Sequence, residues 1–138
     1  MRTTTKRYVE SILRDYPYLD KYIKEREDEL MYPVQEPDDN IGGGKGSKIS
    51  KPQEQMIITL DEDKRLNALR RQQRVIDDCL DDSDDITKTI ARELYFKDHP
   101  TYTMTGLSKK LHYSTARLYR IQNKFLNKVA KKLNIYEP

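Results

Sequence analysis

The sequence is poor in the residues that build small covalent or metal-held folds: 138 positions carry one cysteine, no tryptophan and two histidines. Cys79 alone cannot close an intrachain disulfide. With only His99 and His112 beside it, no Cys/His spacing suits a metal ion, which excludes a zinc finger. Long apolar runs are also missing. The longest span three or four residues, as at Met56 to Ile58, where a membrane helix needs roughly 20, and the first residues lack the apolar stretch of a secretory leader. A soluble, cytoplasmic protein with no membrane partner is expected. Hydrophobic residues make up 36% of the chain and charged residues another 36%, enough for one small core or two modest subdomains and too little for a large multidomain enzyme.

Acidic residues are scarce in one half only. Residues 1–85 carry 15 Lys and Arg against 20 Asp and Glu, net −5. Residues 86–138 carry 11 against 3, net +8, and the whole chain is +3. No acidic residue stands between Asp98 and Glu137. A basic end of this kind is a candidate polyanion binder.

What is present is helical periodicity. From Thr3 to Leu30, Tyr8 and Ile12, and Val9 and Leu13, stand four apart, and Leu19, Tyr22, Ile23, Arg26 and Leu30 continue the pattern after Pro17. This predicts an amino-terminal helical region, residues 1–32, broken near Tyr16 and Pro17. Residues 33–55 hold Pro33, Pro37, Pro52 and four of the glycines, and predict a linker. Within it, Gly42 to Ser47 approaches a phosphate-binding loop. The motif fails because Gly46, not Ser or Thr, follows Lys45 and no strand precedes, so a flexible connector is the reading.

Residues 56–83 predict a connecting helix starting at Thr59, whose hydroxyl would cap it with Glu62 bonding back. Its narrow stripe, Leu66, Leu69, Gln73, Ile76 and Leu80, must be buried against the amino-terminal helices or a second subunit, which makes a homo-oligomer a candidate state. Six aspartates follow within nine residues: Asp77, Asp78, Asp81, Asp82, Asp84 and Asp85. Paired aspartates invite a metal-nuclease reading, but ligands of a catalytic site usually come from separated segments. A solvated helix end, with Asp84 or Asp85 capping the next helix, is preferred over an acidic contact for a basic partner. No metal, cofactor or catalytic residue is assigned, and an enzyme is not expected.

Residues 84–138 carry the function. Ile86 to Phe96 predicts a helix. Met104 to Leu111 predicts a shorter one, with Leu107 and Leu111 four apart and the small Ser108 at a close approach. His112 and Tyr113 make a tight connection, and Ser114 caps a long helix from Thr115 to Leu133. A short helix, a turn and a capped second helix is the helix-turn-helix pattern. At about 100° per residue, Leu118, Ile121, Gln122, Phe125, Leu126, Val129 and Leu133 share one face, and Arg117, Arg120, Lys124, Lys128 and Lys131 the opposite one. Solvated faces mix opposite charges, whereas this stripe accumulates like charge and calls for a polyanion. Double-stranded DNA is the expected partner. Thr115, Ala116, Arg117 and Arg120 are candidates for base edges, and Lys109, Lys110, Tyr119, Lys124 and Lys128 for phosphates, with Ser114 as the cap that presents them.

Leu107, Ser108, Leu111, Ser114, Leu118, Tyr119 and Arg120 give the last 35 residues a resemblance to the fourth region of bacterial primary sigma factors, with His112 where that turn normally has glycine and Gly106 near the start of the first helix. The whole chain resembles the RinA-like late transcriptional regulators of temperate phages. That likeness rests on Tyr16, Pro17, Arg26, Glu27, Asp39, Asn40, Ile41, Gly42, Gly43, Tyr95 and Phe96. It implies an all-α activator of phage late genes for packaging and morphogenesis, working in the bacterial host cytoplasm with host RNA polymerase as a partner. A small terminase subunit for DNA packaging is the alternative, since it too joins a helix-turn-helix to oligomerising helices.

Overall fold

The computed structural model describes residues 1–32, 59–60 and 62–137, and among these the regular structure is helical, with no strand. The expected linker, including Asn40 to Gly44, lies outside the described residues. The helices are α1 (Thr3–Asp15), α2 (Leu19–Met31), α3 (Lys64–Asp81), α4 (Asp85–Leu94), α5 (Met104–Leu111) and α6 (Thr115–Lys132), with a single 3-10 turn, Tyr16–Tyr18, between the first two. The all-α expectation holds. No helix among the described residues is long and apolar enough to cross a membrane.

The chain divides into two compact units that cut across the segments expected from the sequence. One is formed by Met1–Leu19 with Arg71–Pro138, the other by Asp20–Arg70. In the first, α1 contributes Val9, Ile12 and Leu13 to a core completed by Val75, Ile76 and Cys79 of α3, Ala91 and Tyr95 at the end of α4, and Phe125, Leu126, Val129 and Ala130 of α6. A second cluster gathers Ile90, Met104, Leu107 and Leu118, with Ile86, Tyr102, Leu111, Tyr113 and Ile121 against it. Helix α6 therefore serves both clusters, its first turns in one and its last in the other. The stripes of α1 and of the second half of α3 are covered by their own chain, which answers within one molecule the burial that pointed to an oligomer.

Two details differ from expectation for identifiable reasons, and the break near Pro17 falls where it is expected. Tyr8, four residues from Ile12, is 53% exposed, because the burial centre of α1 runs through Val9, Ile12, Leu13 and Tyr16 and leaves Tyr8 about 90° to one side. α1 ends at Asp15 and α2 starts at Leu19, the break expected from the sequence, and between them stands Pro17. It sits at the start of the 3-10 turn, where its missing N–H is no loss, while Tyr16 packs on the Phe96 ring at 5.0 Å and its hydroxyl donates to the Asp77 carboxylate. Thr59, Leu60 and Glu62 are helical, as a start at Thr59 implies, but the helix is interrupted at Asp63 and α3 runs from Lys64: the Asp63 Oδ1 accepts from the Leu66 N–H, at 2.7 Å.

Among the described residues of the second unit, charged pairs join the helices. Asp63 also receives two bonds from the Arg26 guanidinium, at 2.7 and 3.2 Å, and Arg70 reaches Glu27 at 2.8 Å. The paired guanidinium and the capped N–H hold the Asp63 carboxyl down at about 2 and raise Arg26.

Candidate nucleic-acid interface

The region expected to carry function is built on two capped helices and the turn between them. Thr103 caps α5 by accepting from the Gly106 N–H at 3.1 Å, a cap missed in the sequence reading although Thr three residues before an N–H donor is its usual signature. At the other end His112 takes the left-handed conformation, φ 59° and ψ 37°. Its N–H bonds Lys109 O at 3.4 Å, and the Tyr113 N–H bonds Ser108 O at 3.0 Å, the paired closure that ends a helix sharply. Histidine can occupy this region at modest cost, so a turn normally made with glycine is made here without it.

Ser114 then caps α6, accepting from the Arg117 N–H at 3.2 Å. Tyr113, just before the cap, and Leu118 share the same apolar cluster and staple the entry of the chain into the helix. Ser108 is 4% exposed; its hydroxyl donates to Thr105 O at 2.7 Å and lies 3.3 Å from the Thr115 hydroxyl, so the small side chain lets α5 and α6 meet. On α6 the structure buries Leu118, Gln122, Phe125, Leu126, Val129 and Ala130 and half-buries Ile121 and Leu133. Gln122 is explained by chemistry that spacing does not show. Its Nε2 donates to the Tyr95 hydroxyl at 2.7 Å, and that hydroxyl in turn donates to Glu10 at 2.7 Å, a chain of bonds linking α6, α4 and α1. Burial first, then the Glu10 carboxylate, pushes the Tyr95 phenol far up, and it stays a neutral donor.

The opposite face of α6 is exposed and basic. Ala116, Arg117, Arg120 and Lys124 are exposed, Lys109 and Lys110 stand exposed on the last turn of α5, and Tyr119 is 42% exposed at the flank. Two candidates are engaged elsewhere. The Ser114 hydroxyl is spent on the cap, and the Thr115 hydroxyl is turned toward Ser108. Lys128 is half-buried and paired with Asp82 at 2.5 Å, a partner the sequence reading did not assign. That hydrogen bond holds the Asp82 carboxyl below its usual range. Arg117 lies over the Tyr113 ring, its Cζ 4.6 Å from the centroid, and Lys110 over Tyr102 at 5.7 Å. The Tyr113–Arg117 spacing of four was visible in the sequence and could have suggested this contact.

The aspartate run is divided among tasks. Asp84 caps α4 through the Thr87 N–H at 2.9 Å, which holds its carboxyl down; Asp82 pairs with Lys128; Asp77 accepts from Tyr16. Among the described residues no group of three or more His, Cys, Asp or Glu is placed to hold a metal ion. A cleft of about 560 Å³ lies between the start of α4 and the middle of α6, but Asp82 and Asp84 face Lys124 and Lys128 across it, so it concentrates neither sign of charge.

A family model described as a protein of unknown function, DUF722, matches residues 6–131, and the chain belongs to that family. No curated protein and no solved structure matches it.

Proposed function

We propose that this member of the DUF722 family is a sequence-specific double-stranded DNA-binding protein in which α5, the turn 112–114 and α6 form a helix-turn-helix, with α6 in the major groove. The observation that carries the reading is the exposed face of α6. Arg117, Arg120 and Lys124 lie on it in sequence with Lys109 and Lys110 of α5, and no acidic residue interrupts residues 99–136. Two cores fix the opposite face, so the basic side chains are presented by a rigid support. Arg117 and Arg120, with Ala116, stand at the end of the helix that docks deepest, and Lys109, Lys110, Tyr119, Lys124 and Lys128 meet phosphates.

The resemblance to RinA-like regulators supports the finer reading: an activator of phage late genes that brings host RNA polymerase to their promoter. The test is selection of bound fragments from a phage genome by the full chain at physiological salt, followed by transcription of the selected template. Enrichment of one promoter-proximal fragment whose transcription rises is the expected result. Enrichment of a packaging site without any effect on transcription overturns the activator, and failure to retain any duplex at low salt overturns DNA binding.

A further inference from the structure

Arg117 is the third residue of α6, and its backbone is fixed by the Ser114 cap. Its side chain has a preferred position as well, because the guanidinium lies over Tyr113 with Cζ 4.6 Å from the ring centroid. The ring does not follow a mobile partner. The Tyr113 N–H closes the turn on Ser108 O at 3.0 Å, and the side chain packs against the cluster of Ile90, Met104, Leu107 and Leu118. A guanidinium resting on a fixed ring keeps its face covered and its in-plane N–H edge open.

That arrangement suits one kind of acceptor. A phosphate needs a charge within reach and tolerates a swinging lysine, so a pre-set fork adds little there. A guanine presents O6 and N7 side by side on the major-groove edge and pairs with both N–H groups of an arginine held in plane. Elsewhere in the first turns the choice is narrow. Thr115 is turned to Ser108, Ala116 has no polar side-chain atom, and Arg120 is exposed with no described ring beneath it.

We propose that Arg117 is the specificity-determining residue of the interface, reading the O6/N7 edge of a guanine, and that Tyr113 is a positioning residue that holds its guanidinium for that contact. The inference rests on the reading of this protein as a DNA-binding one. It assigns base readout to Arg117 over Arg120, both of which are base-edge candidates in the sequence.

The experiment is selection from a random-sequence duplex pool with the full chain, run on the wild type and on Arg117→Ala, Arg117→Lys, Arg120→Ala, Tyr113→Phe and Tyr113→Leu. The wild type enriches guanine at one fixed position. Arg117→Ala and Arg117→Lys lose that enrichment and bind the selected duplex roughly tenfold or more weakly, while Arg120→Ala keeps it. Tyr113→Phe, which retains the ring, keeps the enrichment. Tyr113→Leu flattens it while affinity for a scrambled duplex is unchanged, a split that mere destabilisation does not produce. If the wild type selects a sequence and Arg117→Ala still selects the same guanine, this inference falls and DNA binding stands. If Tyr113→Leu also keeps the guanine, the positioning role falls. If the wild type retains no duplex, both fall together. Arg117 is exposed, so its variants fold and keep the test decisive even if Tyr113→Leu does not fold.

Discussion

In the unit formed by residues 1–19 and 71–138, four helices and the ends of two others close over apolar side chains, from Val9 and Leu13 to Leu126 and Val129. In the unit formed by residues 20–70, Leu66 is the one fully buried apolar side chain among the described residues, and the contacts that stand out are Arg26 to Asp63 and Arg70 to Glu27. Among the described residues, burial marks the first and charge pairing the second. Burial is roughly proportional to apolar area and keeps its strength in salt and acid, whereas an ion pair depends on both. The difference gives each unit its own way of failing.

Truncating the cores shows this most strongly. Leu126→Ala removes a fully buried side chain where α1, α3, α4 and α6 meet and is expected to cost about 4 kcal/mol; Leu66→Ala, with fewer buried neighbours among the described residues, about 2 kcal/mol. Urea denaturation followed by helical circular dichroism measures both, and equal losses would erase the contrast. A related consequence concerns dissection. A fragment from Asp84 onward lacks Val9, Ile12, Leu13, Val75, Ile76 and Cys79, so half of the core under α6 goes with the deleted helices. Such a fragment is expected to melt well below the full chain.

Backbone geometry comes next in size. His112 at φ 59° tolerates the left-handed region, but a β-branched residue does not, so His112→Val is expected to cost about 1 to 2 kcal/mol, and His112→Gly little or nothing. Both are surface changes by exposure, and an unaffected melting temperature in the valine variant would mean that the turn relaxes freely.

Acid should act on the second unit through Asp63. The Asp63 carboxyl is held near 2, below its unfolded value near 4, so its contribution is fully present above pH 4 and is lost as the pH falls through 2. Asp63→Asn keeps a residue able to cap α3 and removes the charge facing Arg26. The variant is expected to be less stable than the wild type at pH 5, with the deficit shrinking toward pH 2.5. A deficit that stays constant over that range assigns the loss to packing and not to the ion pair.

The same contrast explains what could be read from the sequence. α5, its turn and α6 were legible almost to the residue because their signals are local: Leu107 and Leu111 four apart, Ser114 before a periodic run, and basic residues segregated on one side of it. The aspartates at the start of α4 were legible as caps for the same reason. Illegible were the contacts that join distant segments. Nothing local says that α1 lies under α6, that Tyr95 bridges Glu10 to Gln122 across 85 and 27 residues, or that Arg26 finds Asp63 37 residues on. Where a stripe such as Leu66 to Leu80 had no visible partner, a second subunit and the rest of the chain were equal candidates, and for Ile76 and Cys79 the chain itself supplies the cover.

The smallest effect bears on where the two sorts of contact meet. Lys128 lies on the basic side of α6 yet is paired with Asp82, so a phosphate approaching it must displace a carboxylate that is already there. Because the Asp82 side chain is 71% exposed, the pair is weak, and Asp82→Asn is expected to raise nonspecific DNA affinity by at most a few-fold. The gain should be largest at low salt and steepen the dependence of log affinity on log salt by up to about 0.9, the share of one further phosphate contact. Asp78→Asn removes the same unit of charge from the outer side of α3, at an exposed position outside the Lys128 pair. If the two variants gain equally, net charge alone is at work. A gain confined to Asp82→Asn shows that this one carboxylate competes with DNA for the recognition face, and the rest of the aspartate run is left to capping α4 and bonding Tyr16.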